Sequence, residues 1–295
     1  MFVREKDIRH ALQLYGIPYE GVEYIPIGVM TDKFAFGSEG SKYIARCYPE
    51  ERDYLAEAEY RYMQKFRERG VLCPKPVRII DVGPYLCLIY EMLEGRMLSE
   101  VYDQLSEKQK DDVCREIVDN YMRISEVRSN GHGWMLGYEK FSHGSIEDLV
   151  DGVVNNAEEW IVQYGQTNSQ AKNVLEKFKQ KALFVEGSQP MLVWSELSMD
   201  NIIVDERVRL VGFVDFEGLM GADLNLGVGY LKAHENDSNF VMRLMKMMPE
   251  LQEEKVKFYA MMRYLRILPN THLPLPNGTK RENLNEYLPY VRKNL

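Results

Sequence analysis

"MLVWSELSMDNIIVDERVRLVGFVDFEGLMGADL", residues 191–224, decides how this chain is read. Two short apolar runs, 191–194 and 202–204, flank a polar loop holding Glu196, Asp200 and Asn201; a third run, 210–214, delivers Asp215 and Glu217. Short apolar runs bounded by polar turns predict strands. The acids between them are either a working site or the polar ends of an ordinary hairpin, because Asn and Asp commonly close turns.

Length and composition narrow the classes around that stretch. A chain of 295 residues, 45% hydrophobic and 28% charged, buries a sizeable core and exceeds what one compact core needs, which points to a globular protein of two lobes. The formal net charge of -8 argues against broad attraction to nucleic acid or an anionic membrane, and suits a cationic or metal-chelated ligand. The four cysteines, Cys47, Cys73, Cys87 and Cys114, have no close metal-type spacing, and a chain of this length does not need disulfide staples, so a reducing cytoplasm is expected. The start, "MFVREKDIRHALQLYG", is charged where a signal peptide needs an apolar run. No later segment approaches the ~20 apolar residues of a membrane span.

The organisation changes near residue 95. Residues 8–14 predict a short amphipathic helix, and "VEYIPIGVMTDKFAFG" and "SKYIARCYP" predict strands around a polar turn at 38–41. "RDYLAEAEYRYMQKFRERG" carries Leu55, Ala58, Tyr62, Met63 and Phe66 at helical spacing and stops at Gly70. "PVRIIDVGPYLCLIYEML" predicts two further strands about a Gly-Pro turn. Beyond it, Val113, Ile117, Val118, Tyr121 and Met122 form one helical face, and 145–164, 169–185 and 239–266 are further helix candidates. The expected class is α+β: residues 1–94 form a small β-rich N-lobe with one helix, and residues 95–295 form a larger, mainly helical C-lobe with an inserted strand-loop-strand unit. The cleft between lobes is the natural ligand site.

An acid in a loop, an Asn five positions later, a strand, and a second acid after a third run is the layout with which kinase-type enzymes place a base and metal ligands beside ATP. At these residues the chain resembles the aminoglycoside phosphotransferase and choline kinase superfamily, which has a protein-kinase-like two-lobe fold. The family loop reads His-Gly-Asp or His-Asn-Asp, four residues, then Asn and a strand, and later Ile-Asp-Phe/Trp-Glu. Here it reads Trp194-Ser195-Glu196, then Asn201-Ile202-Ile203-Val204, and Val214-Asp215-Phe216-Glu217. "YIARCYPEERD" is similar to the family's strand with a central basic residue, and "EYRYMQKFRERGVLCPKPV" to its following helix. "LCLIYEMLEGRML" is similar to its inter-lobe connection, and "GADLNLGVGYL" to the segment after the metal site.

The resemblance implies an ATP- and Mg²⁺-dependent phosphotransferase acting on a hydroxyl of a small molecule such as an amino sugar or amino alcohol, in which the N-lobe binds nucleotide and the C-lobe holds the catalytic loop, the metal site and the acceptor pocket. Arg46 would grip the nucleotide phosphates, held by Glu59 or alternatively Glu57. Backbone groups from Glu91 to Leu93 would meet the adenine edge. Asn201 and Asp215 would bind Mg²⁺, which takes hard oxygen ligands, and Glu196 would take the acceptor's proton. The chain departs from the family at the base: Glu196 is one methylene longer than the usual Asp, and a shift of ~1 Å in such a site can cost about 10²-fold in rate. Trp194 and Ser195 replace the usual bracing residues, and Met199-Asp200 stand where many relatives have Pro-Gly. A nucleotide-binding pseudokinase is the alternative. Protein kinase activity ranks third, because only Gly28, Gly37 and Gly40 stand where a Gly-rich phosphate loop would be.

Other features read as structural. His132 and His143, in "GHGWMLGYEKFSHG", suggest a packed loop, and "VMRLMKMMPE" suggests core packing. Glu235, Asp237, Glu250, Glu253 and Glu254 could meet a cationic acceptor but read better as solvated helix ends.

Overall fold

A computed structural model of the chain describes residues 2–26, 30–164, 169–235 and 238–268; Gly28 and Asp237 lie outside them. Helix α1 (Glu5–Leu14) begins earlier than its apolar spacing suggests, because the Asp7 carboxylate turns back to accept from the Arg4 amide at 3.1 Å. Five strands follow, interrupted by helix α2 (Tyr54–Glu68): β1 (Glu20–Ile25), β2 (Asp32–Ser38), β3 (Ser41–Cys47), β4 (Pro76–Val82) and β5 (Tyr85–Glu91). They form an antiparallel sheet in the order β1-β2-β3-β5-β4. The turn at 38–41 closes with Glu39 and Gly40 both left-handed (φ 50° and 79°), the backbone twist that suits a tight hairpin.

Strand alternation divides this sheet's two faces. Ala45 and Cys47 of β3 face α1 in a core with Ile8, Leu12 and Phe34, whereas Ile44 and Tyr48 face α2 in the main core with Leu55, Tyr62 and Phe66. Arg46 therefore falls on the α2 side. Cys47 stands directly opposite Cys87 on β5, and the two form a disulfide, contrary to the expectation of reduced cysteines. Both sulfurs are fully buried, which shields the bond from the thiolates that would have to attack it.

The remaining chain supplies β6 (Arg96–Met97), α3 (Leu98–Val101), α4 (Glu107–Ser125), β7 (His132–Gly137), β8 (Lys140–His143), α5 (Ile146–Gln163), α6 (Ser169–Lys181), β9 (Met191–Trp194), β10 (Ile202–Val204), β11 (Leu210–Phe213), β12 (Leu219–Ala222), α7 (Asn225–Glu235), α8 (Asn239–Met247) and α9 (Glu253–Ile267). Ser106 and Gln109 cap α4 reciprocally. The stretch 191–224 is not one hairpin. β10 pairs with β11 and with β6, whereas β9 pairs with β12, which in turn pairs with β7.

Two expectations are corrected here, and one helix stands where none was expected. The segment 132–143 is a β7–β8 hairpin and not a packed loop. Gly133 permits it, because a side chain there would stand 2.2 Å from Ser142 Oγ. The segment 239–266 is two helices, since Pro249 lacks the N–H a continuous helix needs. Helix α7 is hidden in the sequence by Gly227 and Gly229, which are poor helix formers. Both let neighbours approach closely: a Cβ at Gly227 would meet the Tyr121 hydroxyl at 2.2 Å. No helix of the described residues is long and apolar enough to cross a membrane.

Candidate active site

Arg46 is only 2% exposed, which a guanidinium tolerates only with close partners. Its Nη1 donates to Glu59 of α2 at 3.2 Å, and its Nη2 donates to Asp215 at 2.6 Å and to Glu217 at 2.8 Å. Nε completes the set by donating to Thr31 Oγ1 at 3.2 Å. Glu57 points elsewhere and pairs with Arg61, so of the two candidate acids only Glu59 meets Arg46. Lys33 stands across the sheet from Arg46, with Nζ 3.9 Å from Asp215. The sequence reading missed Lys33; its signal was a lone cation in "DKFAFG", on the strand that pairs with β3.

These contacts set the charges. Burial pushes Glu59 up to about 7, although Arg46 opposes the shift. Burial works the same way on Asp215, but there Arg46 and Lys33 win and hold the carboxyl below its usual range. Burial lowers Lys33, and Arg46 adds to the effect.

The loop between β9 and β10 is fastened to the segment after β11. Trp194 stacks on Phe213 with centroids 4.7 Å apart, and its indole N–H donates to the Asp215 carbonyl at 3.1 Å. Asp215 itself is left-handed, φ 68° and ψ 62°. Ser195 binds the Gly218 carbonyl twice, through its amide at 3.0 Å and its hydroxyl at 2.7 Å. A side chain at Gly218 would stand 2.3 Å from Glu196 Cγ, so the longer acid occupies room that this glycine leaves. Phe216 packs between Phe66 of α2, at 5.3 Å, and Trp194, at 5.8 Å, joining the helix that carries Glu59 to the loop that carries Glu196.

Burial raises the Glu196 carboxyl, with Arg263 of α9 the strongest opposing charge. Arg263 Nη2 lies 3.8 Å from Glu196 Oε1. Asn201 donates its amide N–H to the Glu196 carbonyl at 3.0 Å, which leaves its Oδ1 as a hard oxygen donor. Asp215 and Asn201 are thus oxygen donors of the kind Mg²⁺ takes. Among the described residues no three Asp, Glu, His or Cys side chains group to hold a metal unaided.

The connection after β5 is partly committed. The Glu91 amide donates to the Lys75 carbonyl at 2.9 Å, its carboxylate pairs with Lys75, and the Met92 amide donates to Lys42. Among the described residues the Leu93 amide has no such partner, and the Leu93 side chain packs against Gly212. The histidines stand apart from these groups: His132 meets the Ser188 carbonyl and His143 meets Ser142. Of the α9 acids, Glu253 and Glu254 pair with Lys257, and Glu254 also pairs with Lys181. Arg263 and Arg266, undistinguished within the helix candidate 239–266, were also missed.

The fold is shared with solved phosphotransferases. A thermostable mutant of aminoglycoside phosphotransferase APH(4)-Ia, in a ternary complex with AMP-PNP and hygromycin B, matches with a TM-score of 0.73 at 15% identity, over 89% of this chain and 90% of that one. The GDP complex of an aminoglycoside 2'-phosphotransferase-IIIa mutant matches at 0.69 and 14%, over 90% and 89%. ADP-bound aminoglycoside phosphotransferase APH(2'')-Ib matches at 0.64 and 16%, over 99% and 97%. A search of curated proteins gave no significant match. The model of the phosphotransferase enzyme family spans residues 21–225, more than half of the sequence, and this chain belongs to that family.

Proposed function

We propose that the protein transfers the γ-phosphoryl group of ATP to a hydroxyl of a small molecule, with Mg²⁺ as the metal, residues 1–94 serving the nucleotide and 95–295 the acceptor. The observation that carries this reading is the convergence of Arg46, Lys33, Asp215 and Asn201 beside Glu196, cations and hard oxygens next to a carboxylate. Arg46 and Lys33 offset phosphate charge, and the Leu93 amide, without a backbone partner among the described residues, would meet the adenine edge. Mg²⁺, held by Asp215 and Asn201, would supply further charge neutralisation at the phosphates. Glu196 orients the acceptor and takes its hydroxyl proton as the new O–P bond forms; the bond from Pγ to the β,γ-bridging oxygen breaks and ADP leaves.

One contact favours a second reading, a nucleotide-binding protein without transfer. Arg46 already occupies Asp215 and Glu217, so metal binding requires it to yield part of that pairing. Thermal stabilisation by ATP with and without Mg²⁺ tests the site, with Asp215→Ala as control. The wild-type chain should gain stability from ATP and more from ATP with Mg²⁺, and Asp215→Ala should lose the second increment. ADP formation dependent on an added hydroxyl compound then separates transfer from binding alone. A variant that keeps the full Mg²⁺ increment removes Asp215 from the site.

A further inference from the structure

Beside Glu196 stand Arg263 and Arg266 of α9, which pack against α7 and β7. Arg263 and Arg266 lie one turn apart on α9, and the buried Tyr230 ring of α7 packs against both guanidiniums, 5.0 and 5.9 Å from their centres. Arg266 also stacks on Trp134 and donates to the Tyr230 hydroxyl at 3.2 Å. Arg263 donates from Nε to His234 Nε2 at 3.0 Å, which requires that imidazole nitrogen to be unprotonated. Its one carboxylate partner among the described residues is Glu196, at the long distance of 3.8 Å. Two acids that act on Glu196, Asp215 and Glu217, are themselves paired with Arg46.

We infer that the acceptor carries an anionic group, a carboxylate or a phosphate, which Arg263 binds while Glu196 receives the reacting hydroxyl. The inference rests on the phosphotransferase reading and names the substrate class of that site. An acceptor decorated with ammonium groups would need carboxylates around the base; here the base's neighbour is a guanidinium fixed by an aromatic ring and an imidazole. A guanidinium so fixed presents its remaining N–H donors in a planar fork that matches a carboxylate or phosphate. The anion would replace Glu196 at Arg263 Nη2, leaving the Glu196 oxygen to the hydroxyl. The chain's overall negative charge is thus no guide to this corner, where the cation stands within 4 Å of the base.

The test uses the full chain saturated with a non-hydrolysable ATP analogue and Mg²⁺, and two matched series of ligands. One series is glycerol, 3-amino-1,2-propanediol, glycerate and glycerol 3-phosphate; the other is glucose, glucosamine, gluconate and glucose 6-phosphate. Calorimetric titration should show anionic members binding tighter than their neutral and cationic counterparts, and the carboxylate and phosphate arms identify which anion is taken. Arg263→Gln should weaken the anionic members about 10- to 100-fold, the loss expected for charge-assisted hydrogen bonds, while leaving neutral members and nucleotide affinity unchanged. Arg263→Lys should recover part of the loss. Equal or tighter binding of the amino compounds overturns the inference, as does anion affinity that survives Arg263→Gln, or no binding of any anionic member at millimolar concentration. Failure of the phosphotransferase reading looks different: anions bind in an Arg263-dependent way, yet ATP with the same ligands yields no ADP.

Discussion

The indole nitrogen of Trp194 and the backbone carbonyl of Asp215 are hydrogen-bonded across 3.1 Å, tying the residue two places before Glu196 to the residue that follows the third apolar run. A non-glycine residue in the left-handed region costs about 1–3 kcal/mol, so Asp215 needs such a fastening. Trp194 provides it while stacking on Phe213.

Replacing Trp194 by Phe separates these two contributions. The ring keeps its place against Phe213 and Phe216, but the Asp215 carbonyl loses its donor, a loss of about 1–3 kcal/mol for a buried polar group left unsatisfied. The melting temperature should fall, and the Mg²⁺-dependent part of ATP affinity should fall with it. Unchanged Mg²⁺ dependence in isothermal titration would show that Asp215 holds its conformation without the indole.

The contact between Gly218 and Glu196 predicts that the longer acid is the one this loop is built for. Glu196→Asp withdraws the carboxylate by one methylene, and acceptor phosphorylation should drop by about 10²-fold, as for ~1 Å misplacements generally. Gly218→Ala should produce a similar loss by pushing Glu196 aside, since the added carbon would stand 2.3 Å from Cγ. Both variants should bind ATP with Mg²⁺ as the unmodified chain does. A faster Glu196→Asp enzyme would mean that Glu is a poor replacement in an ordinary loop.

Arg46 holds three carboxylates at once, so its removal leaves buried charge unpaired. Arg46→Ala should destabilise the chain by about 3–5 kcal/mol in denaturant titration and abolish tight ATP binding. Arg46→Lys should restore part of the stability but less of the affinity, because one ammonium cannot reproduce the planar fork that reaches Glu59, Asp215 and Glu217 together. Equal ATP affinity in all three proteins would take Arg46 out of the phosphate site.

Glu59 gives the site a pH signature. Its folded-state carboxyl is raised to about 7, above its ordinary value, so its contribution to stability is full below the ordinary carboxylate range and is lost as pH rises through about 7. Melting temperature should therefore decline between about pH 5 and pH 8, and Glu59→Gln, neutral throughout, should flatten that slope. A slope of the same size in the variant would assign it to other groups.

Much of the architecture was legible because it rests on local pattern. The α2 face from Leu55 to Phe66, the turns at 38–41 and 83–84, and the short apolar runs of 191–214 each follow a period or a turn rule that needs no tertiary knowledge. Helix α7 was not legible, since Gly227 and Gly229 are there for close packing against Tyr121 and Tyr259, contacts that exist only after folding. Arg46, Glu59, Asn201 and Asp215 were singled out through the family resemblance, and the structure brings Arg46, Glu59 and Asp215 together. Lys33 and Arg263 were not, because they reach Asp215 and Glu196 from elements far away in sequence and belong to no spacing. The pairing of Cys47 with Cys87 was hidden for the same reason, being a matter of strand register across 40 residues.

That pairing bears on which way Arg46 points. In a sheet, a slip of one residue turns every side chain of a strand to the other face. If β3 moved one place against β5, Arg46 would turn outward toward α1 and Cys47 inward toward Glu59 and Asp215. Most strands rely on hydrogen-bond ladders and apolar pattern to prevent such a slip, and the alternation of β3 is weak, since Ile44, Ala45, Cys47 and Tyr48 are apolar on both faces. With Cys47 joined to Cys87, the phase of the strand is written into the covalent structure. The guanidinium faces Glu59, Asp215 and Glu217 because the neighbouring residue is bonded where only one frame allows it.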